Sequence, residues 1–388
     1  MTTTINNEHK KLNVPNLRFK EFQGEWEKRT LDKVCVFHNG RAYKQNELLQ
    51  SGKYRVLRVG NFFTNDSWYY SNLELEEEKI AVRGDLLYAW SASFGPRFWH
   101  EEKVIYHYHI WKVDSFQNVT KSYLYYYLEK DATKIKNEVQ GGTMVHITKG
   151  DMEKRAITYP CIEEQKKIAK LLSIIDERIS TQSKIIEDLK KLKSAIIEIE
   201  YTPNAKTTSH IGDIIEQISK RNKNNAIQNV LSVSNRQGFI KQSDQFENRN
   251  VASEDTSNYK IVEQNDFAFN PARINVGSIA RLTTFQRGIV SPMYICFRTQ
   301  ENVAPEYIDY FFESKHFYCE IQKRLEGSVR QCLSFEGLCN IPLSLPSLEM
   351  QQRIGKRLFT LGQKIKTETD LLKLLNKQKQ YLLRQMFI

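Results

Sequence analysis

The sequence predicts an α+β protein in which two mixed α/β globules alternate with two long helices. The first observation is an internal repeat: the segment Tyr159–Ile168 returns as Leu345–Ile354, with Pro, Glu, Gln and Ile in register. The second is a heptad pattern of apolar residues that follows each copy. The third is a set of short β-branched and aromatic runs before each copy, which are typical of strands. Together they indicate the order globule, helix, globule, helix.

Length and composition support more than one folded core. The chain has 388 residues, of which 40% are hydrophobic. It contains no apolar run near the roughly 18 residues of a membrane span and opens without an apolar signal region. We therefore expect a cytoplasmic protein. Lys and Arg number 57 against 46 Asp and Glu, and this net charge of +11 favours a polyanionic partner such as nucleic acid or an anionic membrane surface.

The long helices are predicted from apolar residues at the alternating spacings of a coiled coil. Two polar interruptions fall at equivalent places, Gln182 with Glu368 and Lys193 with Lys379, and a polar residue of this kind can fix the register. We expect the helices to pack against each other along this seam, with each helix taking the proline of the repeat into its first turn. The alternative is that each helix caps its own globule. The apolar seam residues are Ile168, Leu172, Ile175, Ile179, Ile186 and Leu189 in the first helix, and Ile354, Leu358, Leu361, Ile365, Leu372 and Leu375 in the second.

The globules share a framework but differ elsewhere. An aromatic-rich helix is predicted in each, at residues 123–128 and 307–312. Predicted strands are 54–59, 85–90 and 108–113 in the first globule, and 229–233, 266–269 and 293–297 in the second. A retained scaffold with altered surfaces predicts two sites of the same kind that recognise different things.

No catalytic constellation is found in the sequence. It has neither a Gly-x-Gly-x-x-Gly loop nor a phosphate-binding Gly-x4-Gly-Lys-Ser/Thr loop, and no nucleophile elbow. The pair His107 and His109 and the pair His316 and Cys319 lack a third ligand at suitable spacing. The six cysteines form no Cys-x-x-Cys pair, which favours reduced thiols. We predict a non-catalytic binding protein without a metal site.

The chain resembles the specificity subunits of type I restriction-modification systems. The opening segments Val14–Phe19 and Phe22–Glu27 are similar to the usual start of that family, and so are the Pro-x-x-Glu-x-Gln-x-x-Ile helix starts at Pro160 and Pro346. The resemblance covers essentially the whole chain. One departure is the stretch Asn39–Lys44, where the family often has a Gly-x-Thr-Pro loop.

The resemblance implies two target recognition domains in a pseudo-twofold repeat, separated by two long antiparallel coiled-coil helices. It places recognition domains at residues 1–158 and 207–344, and helical spacers at 159–206 and 345–388. Each domain would read one half of an asymmetric bipartite target in double-stranded DNA, and helix length would set the spacer between the halves. Two methyltransferase subunits would dock on the helices, with up to two endonuclease subunits outside them. The chain itself would need no cofactor or membrane, since S-adenosylmethionine, ATP and magnesium belong to the partners.

Candidate DNA contacts are basic and amide-rich loop residues. Base edges are read by Arg, Lys, Asn and Gln, whereas phosphates need only positive charge or backbone amides. In the first domain the candidates are Arg41, Lys44, Arg97, Thr143, His146 and Lys149; in the second they are Lys220, Arg221, Lys223, Arg236, Arg273, Asn275, Ser328, Arg330 and Gln331.

Two other functions remain open at this stage. One is a self-contained DNA-modifying enzyme, which would bind S-adenosylmethionine or alter DNA by itself. The other is a coiled-coil scaffold without nucleic acid, which would fail to bind DNA even with a methyltransferase present.

Overall fold

In a computed structural model of the protein, residues 13–63, 65–91, 94–138, 146–202, 209–235, 237–245, 255–327 and 331–388 are described. The chain divides into two compact units. Unit 1 comprises Met1–Gln182 and Leu371–Ile388, and unit 2 comprises Ser183–Asp370. Each unit therefore combines one globule with part of each long helix. The four sequential segments expected from the sequence divide the chain differently, and their boundaries stay a prediction.

The two long helices, α4 and α9, contribute residues to both units. The elements from the start of the chain to the first long helix are β1 (Glu27–Thr30), β2 (Val36–Asn39), β3 (Tyr54–Leu57), α1 (Val59–Phe63), β4 (Tyr69–Ser71), β5 (Ile80–Ala81), β6 (Leu86–Ala89), β7 (Gly95–Phe98), β8 (Val104–Tyr106), β9 (Ile110–Asp114), α2 (Lys121–Glu138), α3 (Lys149–Glu153), β10 (Ala156–Tyr159) and α4 (Ile162–Glu200). The elements that follow are β11 (Ser209–His210), β12 (Ile215–Ile218), β13 (Val230–Ser234), β14 (Gly238–Lys241), α5 (Gln242–Gln245), β15 (Lys260–Glu263), β16 (Phe267–Phe269), β17 (Ile279–Arg281), β18 (Arg287–Val290), β19 (Ile295–Thr299), α6 (Pro305–Phe311), α7 (Lys315–Arg324), α8 (Phe335–Cys339), β20 (Pro342–Leu343) and α9 (Leu348–Gln385).

The two units have the same sheet topology. Unit 1 has sheets in the orders β2-β9-β6-β7 and β4-β3-β8-β5 with a β1-β10 ribbon, and unit 2 has β12-β19-β16-β17 and β14-β13-β18-β15 with a β11-β20 ribbon. In the second sheet of each unit one pair is parallel, β3 with β8 and β13 with β18. The six strands predicted from the sequence are present, with ends within two residues of the prediction. The mixed fold class, the repeated domains and the two long helices are confirmed.

The aromatic-rich helices pack on the main sheet of each unit. In unit 1 the helix is continuous as α2, and its Tyr123 and Leu124 are buried with Trp111 of β9. In unit 2 the helix is interrupted between α6 and α7, because the Ser314 hydroxyl accepts a hydrogen bond from the Phe317 backbone N–H (3.1 Å) and caps a new helix. Burial of these large aromatic side chains supplies much of the hydrophobic stabilisation of each core.

A buried glutamine fixes the start of α4 to the globule of unit 1. Gln165 is fully buried. Its Nε2 donates to the backbone carbonyls of Pro160 (2.9 Å) and Asn118 (2.8 Å), and its Oε1 accepts from the Thr120 backbone N–H (2.7 Å) just before α2. A buried amide is costly unless it is bonded, so this side chain holds the two helix starts together.

Gln351 repeats this arrangement in unit 2. Its Nε2 donates to the Pro346 carbonyl (2.8 Å), and its Oε1 accepts from the Ala304 backbone N–H (2.9 Å) just before α6. The prediction that Pro160 and Pro346 lie in the first helical turn is wrong, since α4 and α9 begin two residues later. In each unit the glutamine amide donates to the proline carbonyl just before the helix begins.

Two equivalent tyrosines join the aromatic helices to the ribbons. Tyr123 donates from Oη to the Thr158 carbonyl (2.8 Å), and Tyr307 donates from Oη to the Ser344 carbonyl (2.8 Å). Both tyrosine side chains are fully buried, and burial raises their pKa. They therefore remain neutral hydrogen-bond donors.

Unit 1 has one further attachment, which involves the opening segment of the chain. Arg18 binds Glu164 at the start of α4 through Nε and Nη2, both at 2.8 Å, and its Nη1 donates to the Gly24 carbonyl (2.6 Å). Glu164 is fully buried, so it depends on this bidentate pair. Met350 stands at the equivalent place in the repeat and needs no such partner.

The two long helices run antiparallel within each unit. In unit 1 the start of α4 shares a core with the end of α9, and in unit 2 the end of α4 shares a core with the start of α9. All twelve predicted seam residues are buried or half-buried. Among the described residues, no helix combines the length and apolarity that a membrane span requires. The residues of these shared cores are Ile168, Leu172, Leu383 and Phe387 in unit 1, and Ile196, Ile197, Ile354 and Leu358 in unit 2.

A lysine at the polar seam position of α9 joins three elements in unit 1. The Nζ of Lys379 lies 2.6 Å from Glu129 Oε1 on α2 and 2.6 Å from Asp176 Oδ1 on α4. It also lies 5.6 Å from the centre of the Tyr126 ring. The Lys379 side chain is only 9% exposed. This ion-pair cluster therefore fixes the globule against both helices of unit 1.

The equivalent lysine in unit 2 makes a simpler contact. Lys193 of α4 binds Glu313 at 2.7 Å and lies 5.0 Å from the Tyr310 ring. Gly362 stands where unit 1 has Asp176, so the facing helix has no carboxylate at that position. The side chains of Lys193 and Glu313 are 21% and 47% exposed, and solvent screens the pair.

We predict different costs for the same substitution at these two lysines. Lys379→Met should reduce the free energy of unfolding by about 3–5 kcal/mol, because it leaves two partly buried carboxylates without a counter-ion. Lys193→Met should reduce the free energy of unfolding by less than about 1 kcal/mol, because its partner Glu313 is exposed. Urea unfolding of the two variants measures both changes in free energy. Equal losses would contradict the conclusion that the Lys379 ion pairs are the more buried and the more stabilising.

Candidate nucleic-acid interface

Loops from three neighbouring strands meet at one end of the main sheet of unit 1. Asn39 at the end of β2 pairs with Trp111 of β9, and Ala89 at the end of β6 pairs with Ile110 at the start of β9. The chain at His146 joins them through a backbone bridge to residue 91. Residues 40–44, 90–91, 107–109 and 146 are called the unit 1 face.

Close backbone approach at Gly40 builds this face. A Cβ on Gly40 would lie 2.4 Å from the His107 carbonyl oxygen, so only glycine fits. The next residue, Arg41, donates its backbone N–H to the Tyr106 carbonyl (3.0 Å), and its carbonyl accepts from the Tyr108 N–H (3.0 Å). The loop after β2 is therefore bonded along its start to the turn before β9.

An aromatic stack connects the core of unit 1 to its face. Tyr88 stacks on Trp111 with ring centres 5.9 Å apart, and Trp111 stacks on Trp90 at 5.7 Å. At the surface, the Trp90 ring contacts His109 (5.0 Å) and His146 (6.0 Å). Rings held in this way form a rigid platform, which suits stacking or apolar contact with nucleic-acid bases.

Two histidines of the unit 1 face, His107 and His109, have a lowered pKa and are held in the neutral form. Burial, and then repulsion from His109 and Arg58, lowers the pKa of His107 to about 4. Burial, followed by repulsion from His146, lowers the pKa of His109 as well. A neutral imidazole has one donor and one acceptor nitrogen, so these rings can bond base edges without carrying charge.

The corresponding loops of unit 2 also meet at one sheet end. Ile218 at the end of β12 pairs with Cys296 of β19, and Phe269 at the end of β16 pairs with Ile295. The chain at residue 333 joins them, donating its N–H to the carbonyl of residue 271 (3.0 Å). Residues 219–224, 270–277, 287, 291–294 and 331–333 are called the unit 2 face.

The unit 2 face has a cationic character. Lys220, Arg221, Lys223 and Arg287 line a cavity of about 800 Å³. The loop that bears the first three is held by Asn222, which is 2% exposed and whose side-chain amide is fully bonded. Positive side chains around a concave surface favour a polyanion.

The structure places some of the predicted DNA contacts on these faces and others away from them. Arg97 lies within β7, 5.0 Å from the Phe63 ring and away from the sheet end, and Lys149 is the first residue of α3 and pairs with Glu153 at 3.5 Å. The unit 1 face contains Arg41, Lys44 and His146, and the unit 2 face contains Lys220, Arg221, Lys223, Arg273, Asn275 and Gln331. Thr143, Arg236, Ser328 and Arg330 lie outside the described residues.

Sequence reasoning missed the aromatic part of the unit 1 face. The indole N–H of Trp90 donates to the Tyr108 carbonyl (2.8 Å), and Tyr108 is 39% exposed. Arg287, which lines the unit 2 cavity, was also missed. The signal available in the sequence is the interleaving of His107, Tyr108 and His109, whose aromatic character an interpretation as a metal pair leaves aside.

Comparison with known proteins identifies related chains. The family model described as Type I restriction modification DNA specificity domain matches residues 23–191 and 203–377. The type I restriction enzyme MjaVIII specificity subunit of Methanocaldococcus jannaschii is 25% identical over 317 residues, which cover 74% of each chain. The putative type I restriction enzyme MjaX specificity subunit of the same organism is 37% identical over 91 residues, 24% of this chain and 20% of that one.

Two solved structures share the fold. The crystal structure of the type I restriction-modification system S subunit from M. genitalium superimposes with a TM-score of 0.61 at 17% identity, covering 97% of this chain and 99% of that one. A chain from a structure on complex assembly and conformational transition of the type I R-M system gives a TM-score of 0.53 at 15% identity, covering 92% and 96%.

We predict that His107 makes the fold more sensitive to acid. The unfolded chain binds a proton at this histidine near pH ~6.5, whereas the folded chain binds it only near a pKa of about 4. Stability should therefore fall as pH drops through this window. His107→Gln should make the urea midpoint decline less steeply there, with His100→Gln, an exposed histidine of the same unit, as control. An unchanged slope in the His107 variant would contradict this.

Proposed function

The chain belongs to the type I restriction modification DNA specificity family, and from this premise we propose that its two faces each read one half of an asymmetric, bipartite target in double-stranded DNA. The observation that carries the proposal is that one topology, built twice, presents two faces of different chemistry. Base sequence is read by side chains at base edges. Two different faces on a common scaffold therefore suit two different half-sites.

The two faces differ in how they would bind. The unit 1 face offers stacked aromatic rings and the neutral imidazoles of His107 and His109, with Arg41 and Lys44 as its cationic side chains. The unit 2 face offers Lys220, Arg221, Lys223 and Arg287 around one cavity. Positive charge contributes affinity that depends on salt, whereas apolar and neutral polar contacts contribute discrimination between bases. We expect unit 2 to supply more of the salt-dependent affinity.

The long helices have apolar side chains outside the shared cores, and we propose that methyltransferase subunits dock there. On α4, Ile185, Leu192 and Ile199 recur every seven residues and are 39%, 50% and 76% exposed. On α9, Leu374 and Tyr381 are 61% and 55% exposed. Exposed apolar residues at heptad spacing favour packing against partner helices.

We propose that the chain leaves all chemistry to its partners, as specificity subunits generally do. Two methyltransferase subunits would bind S-adenosylmethionine, and up to two endonuclease subunits would use ATP and magnesium. This division of roles separates the proposal from a self-contained DNA-modifying enzyme, which would methylate or cleave DNA as the purified chain alone. It also separates it from a scaffold without nucleic acid, which would not bind DNA in the presence of the methyltransferase.

Modified-base sequencing of the source genome tests the proposed function. Deletion of the gene should abolish methylation at one split, asymmetric motif, and the intact gene should restore it. A variant with Lys220→Ala and Arg221→Ala should weaken or relax only one half of that motif, with the other half read as before. Unchanged methylation after deletion, with the methyltransferase expressed, would contradict the proposal.

Helix length should set the spacing between the half-sites. Seven residues added to each of α4 and α9 preserve the heptad phase and lengthen each helix by ~10.5 Å. The unspecific spacer of the methylated motif should then grow by about three base pairs, at ~3.4 Å each. Methylation mapping in cells that carry the lengthened chain measures this. The control is a variant with four residues added to α4 alone, which shifts the seam out of phase. This variant should no longer support methylation of the motif. A spacer unchanged by the matched insertion would contradict the ruler function.

A further inference from the structure

A cavity of unit 1 lies between the second half of α2, the start of β10 and the end of α9. Its volume is about 890 Å³, which is within the range of small-molecule sites. It is lined by Tyr127 and Lys130 of α2, Ala156 of β10, and Leu383 and Arg384 of α9. None of these residues belongs to the unit 1 face. The cavity is therefore a separate feature of unit 1, bounded by three elements.

The lining of this cavity has an excess of positive charge. Lys130, Lys134, Arg155 and Arg384 line it, and Asp131 is the one carboxylate side chain among the described residues that do so. Asp131 is 7% exposed and accepts hydrogen bonds from Arg155 Nε and Nη2, both at 2.6 Å. Since this bidentate pair uses the carboxylate, the lining as a whole is cationic.

The cations are open to a ligand from solvent. Lys134 and Arg384 are exposed, and Lys130 is half-buried. The Lys130 Nζ donates to the Ile388 backbone oxygen (2.6 Å). Even when this oxygen is counted as a full negative charge beside that of Asp131, the lining keeps two positive charges in excess. Burial lowers the pKa of Lys130, and an anion that reaches a partly desolvated ammonium group stabilises its charged form.

Unit 2 shows that the shared fold does not require this excess of charge. In the internal repeat, Ile341 stands at the place of Arg155 and Glu198 at the place of Arg384. Ile341 is fully buried in the core of unit 2. Glu198 Oε1 accepts a hydrogen bond from the Lys315 backbone N–H (3.0 Å). Unit 2 thus uses these two positions for packing and for an internal bond, whereas unit 1 has cations there.

We infer that this cavity binds a phosphorylated small molecule that carries an apolar or aromatic group. Lys130, Lys134 and Arg384 hold the phosphate, because ammonium and guanidinium groups donate charge-assisted hydrogen bonds to its oxygens. Tyr127 and Leu383, which also line the cavity, contact the apolar group. Two excess positive charges match a phosphate monoester, which carries nearly two negative charges at pH 7, better than a phosphodiester of DNA, which carries one. The inference does not rest on the proposed function.

The ligand links two elements of unit 1. It contacts α2 through Lys130 and α9 through Arg384, and so adds to the attachment of the globule to the end of α9. A ligand that binds only the folded chain stabilises it by mass action. The melting temperature therefore reports on the site without any measurement of DNA recognition.

Two variants of the full chain test this site. Arg384→Glu introduces the residue that unit 2 has at the equivalent position, and the fold should be retained because Arg384 is exposed. Lys130→Gln removes a second charge but keeps a donor for the Ile388 oxygen. Lys154→Gln is the matched control, since Lys154 is an exposed lysine of the same unit that does not line the cavity. Melting temperatures without ligand check that each variant is folded.

The probes are AMP, phenyl phosphate, inorganic phosphate and adenosine, each titrated calorimetrically into the full chain. AMP and phenyl phosphate should bind the wild type and the control and raise their melting temperatures. Adenosine lacks the phosphate and inorganic phosphate lacks the apolar group, so both should bind more weakly. Arg384→Glu and Lys130→Gln should each weaken AMP and phenyl phosphate by roughly tenfold, because each variant loses a charge-assisted hydrogen bond.

Three results would overturn the inference. In the first, neither AMP nor phenyl phosphate stabilises the wild type, or both variants bind them as tightly as the control does. In the second, inorganic phosphate binds as tightly as phenyl phosphate, so that the apolar lining contributes nothing. In the third, a DNA duplex of arbitrary sequence displaces AMP from the wild type but not from the variants, which would assign the cavity to backbone phosphates of DNA instead of a small molecule.

Discussion

The attachment of each globule to the ends of both long helices is the constraint on which each unit depends. At the start of α4 in unit 1 and at the start of α9 in unit 2 it is made by buried polar side chains that are hydrogen-bonded, Gln165 and Gln351. Apolar contacts alone hold surfaces together without fixing their angle, because they have little directionality. A buried amide that must bond two chain segments at once does fix it. The sheet-end face of each unit thereby has a defined direction relative to the helix ends that its own unit contains.

The lysines at the polar seam positions add to this attachment with unequal strength. In unit 1, Lys379 binds carboxylates from α2 and α4 in a largely buried cluster, whereas Lys193 in unit 2 has one exposed partner. Arg18 and Glu164 add a further pair to unit 1 alone. The two units therefore share a framework while differing in how firmly the globule is held. A partner that docks on the helices would meet a stiffer junction in unit 1.

The faces show how one scaffold can carry two chemistries. The framework positions are buried residues of β6, β9 and α2 and their counterparts in β16, β19 and α6, and they set where the loops emerge. The loops then differ freely, since solvent-exposed residues have little effect on the core. In unit 1 the aromatic stack reaches the surface at Trp90, and in unit 2 cations surround a cavity. The proposed recognition of a bipartite target would use this combination of fixed placement and variable contact residues.

The sequence by itself determined the repeat, the heptads and the polar seam positions, because these depend on residues close together in the chain or on direct comparison of its two halves. It also indicated which glutamine and proline mattered, although Pro160 proved to precede its helix. Only the tertiary structure decided which loops meet. Trp90, Tyr108 and His146 come from distant segments, and Arg97, a basic residue of the same region, lies within a strand away from the face. Hydrogen-bond satisfaction depends on neighbours across strand pairs, and strand pairing joins residues that no local pattern connects.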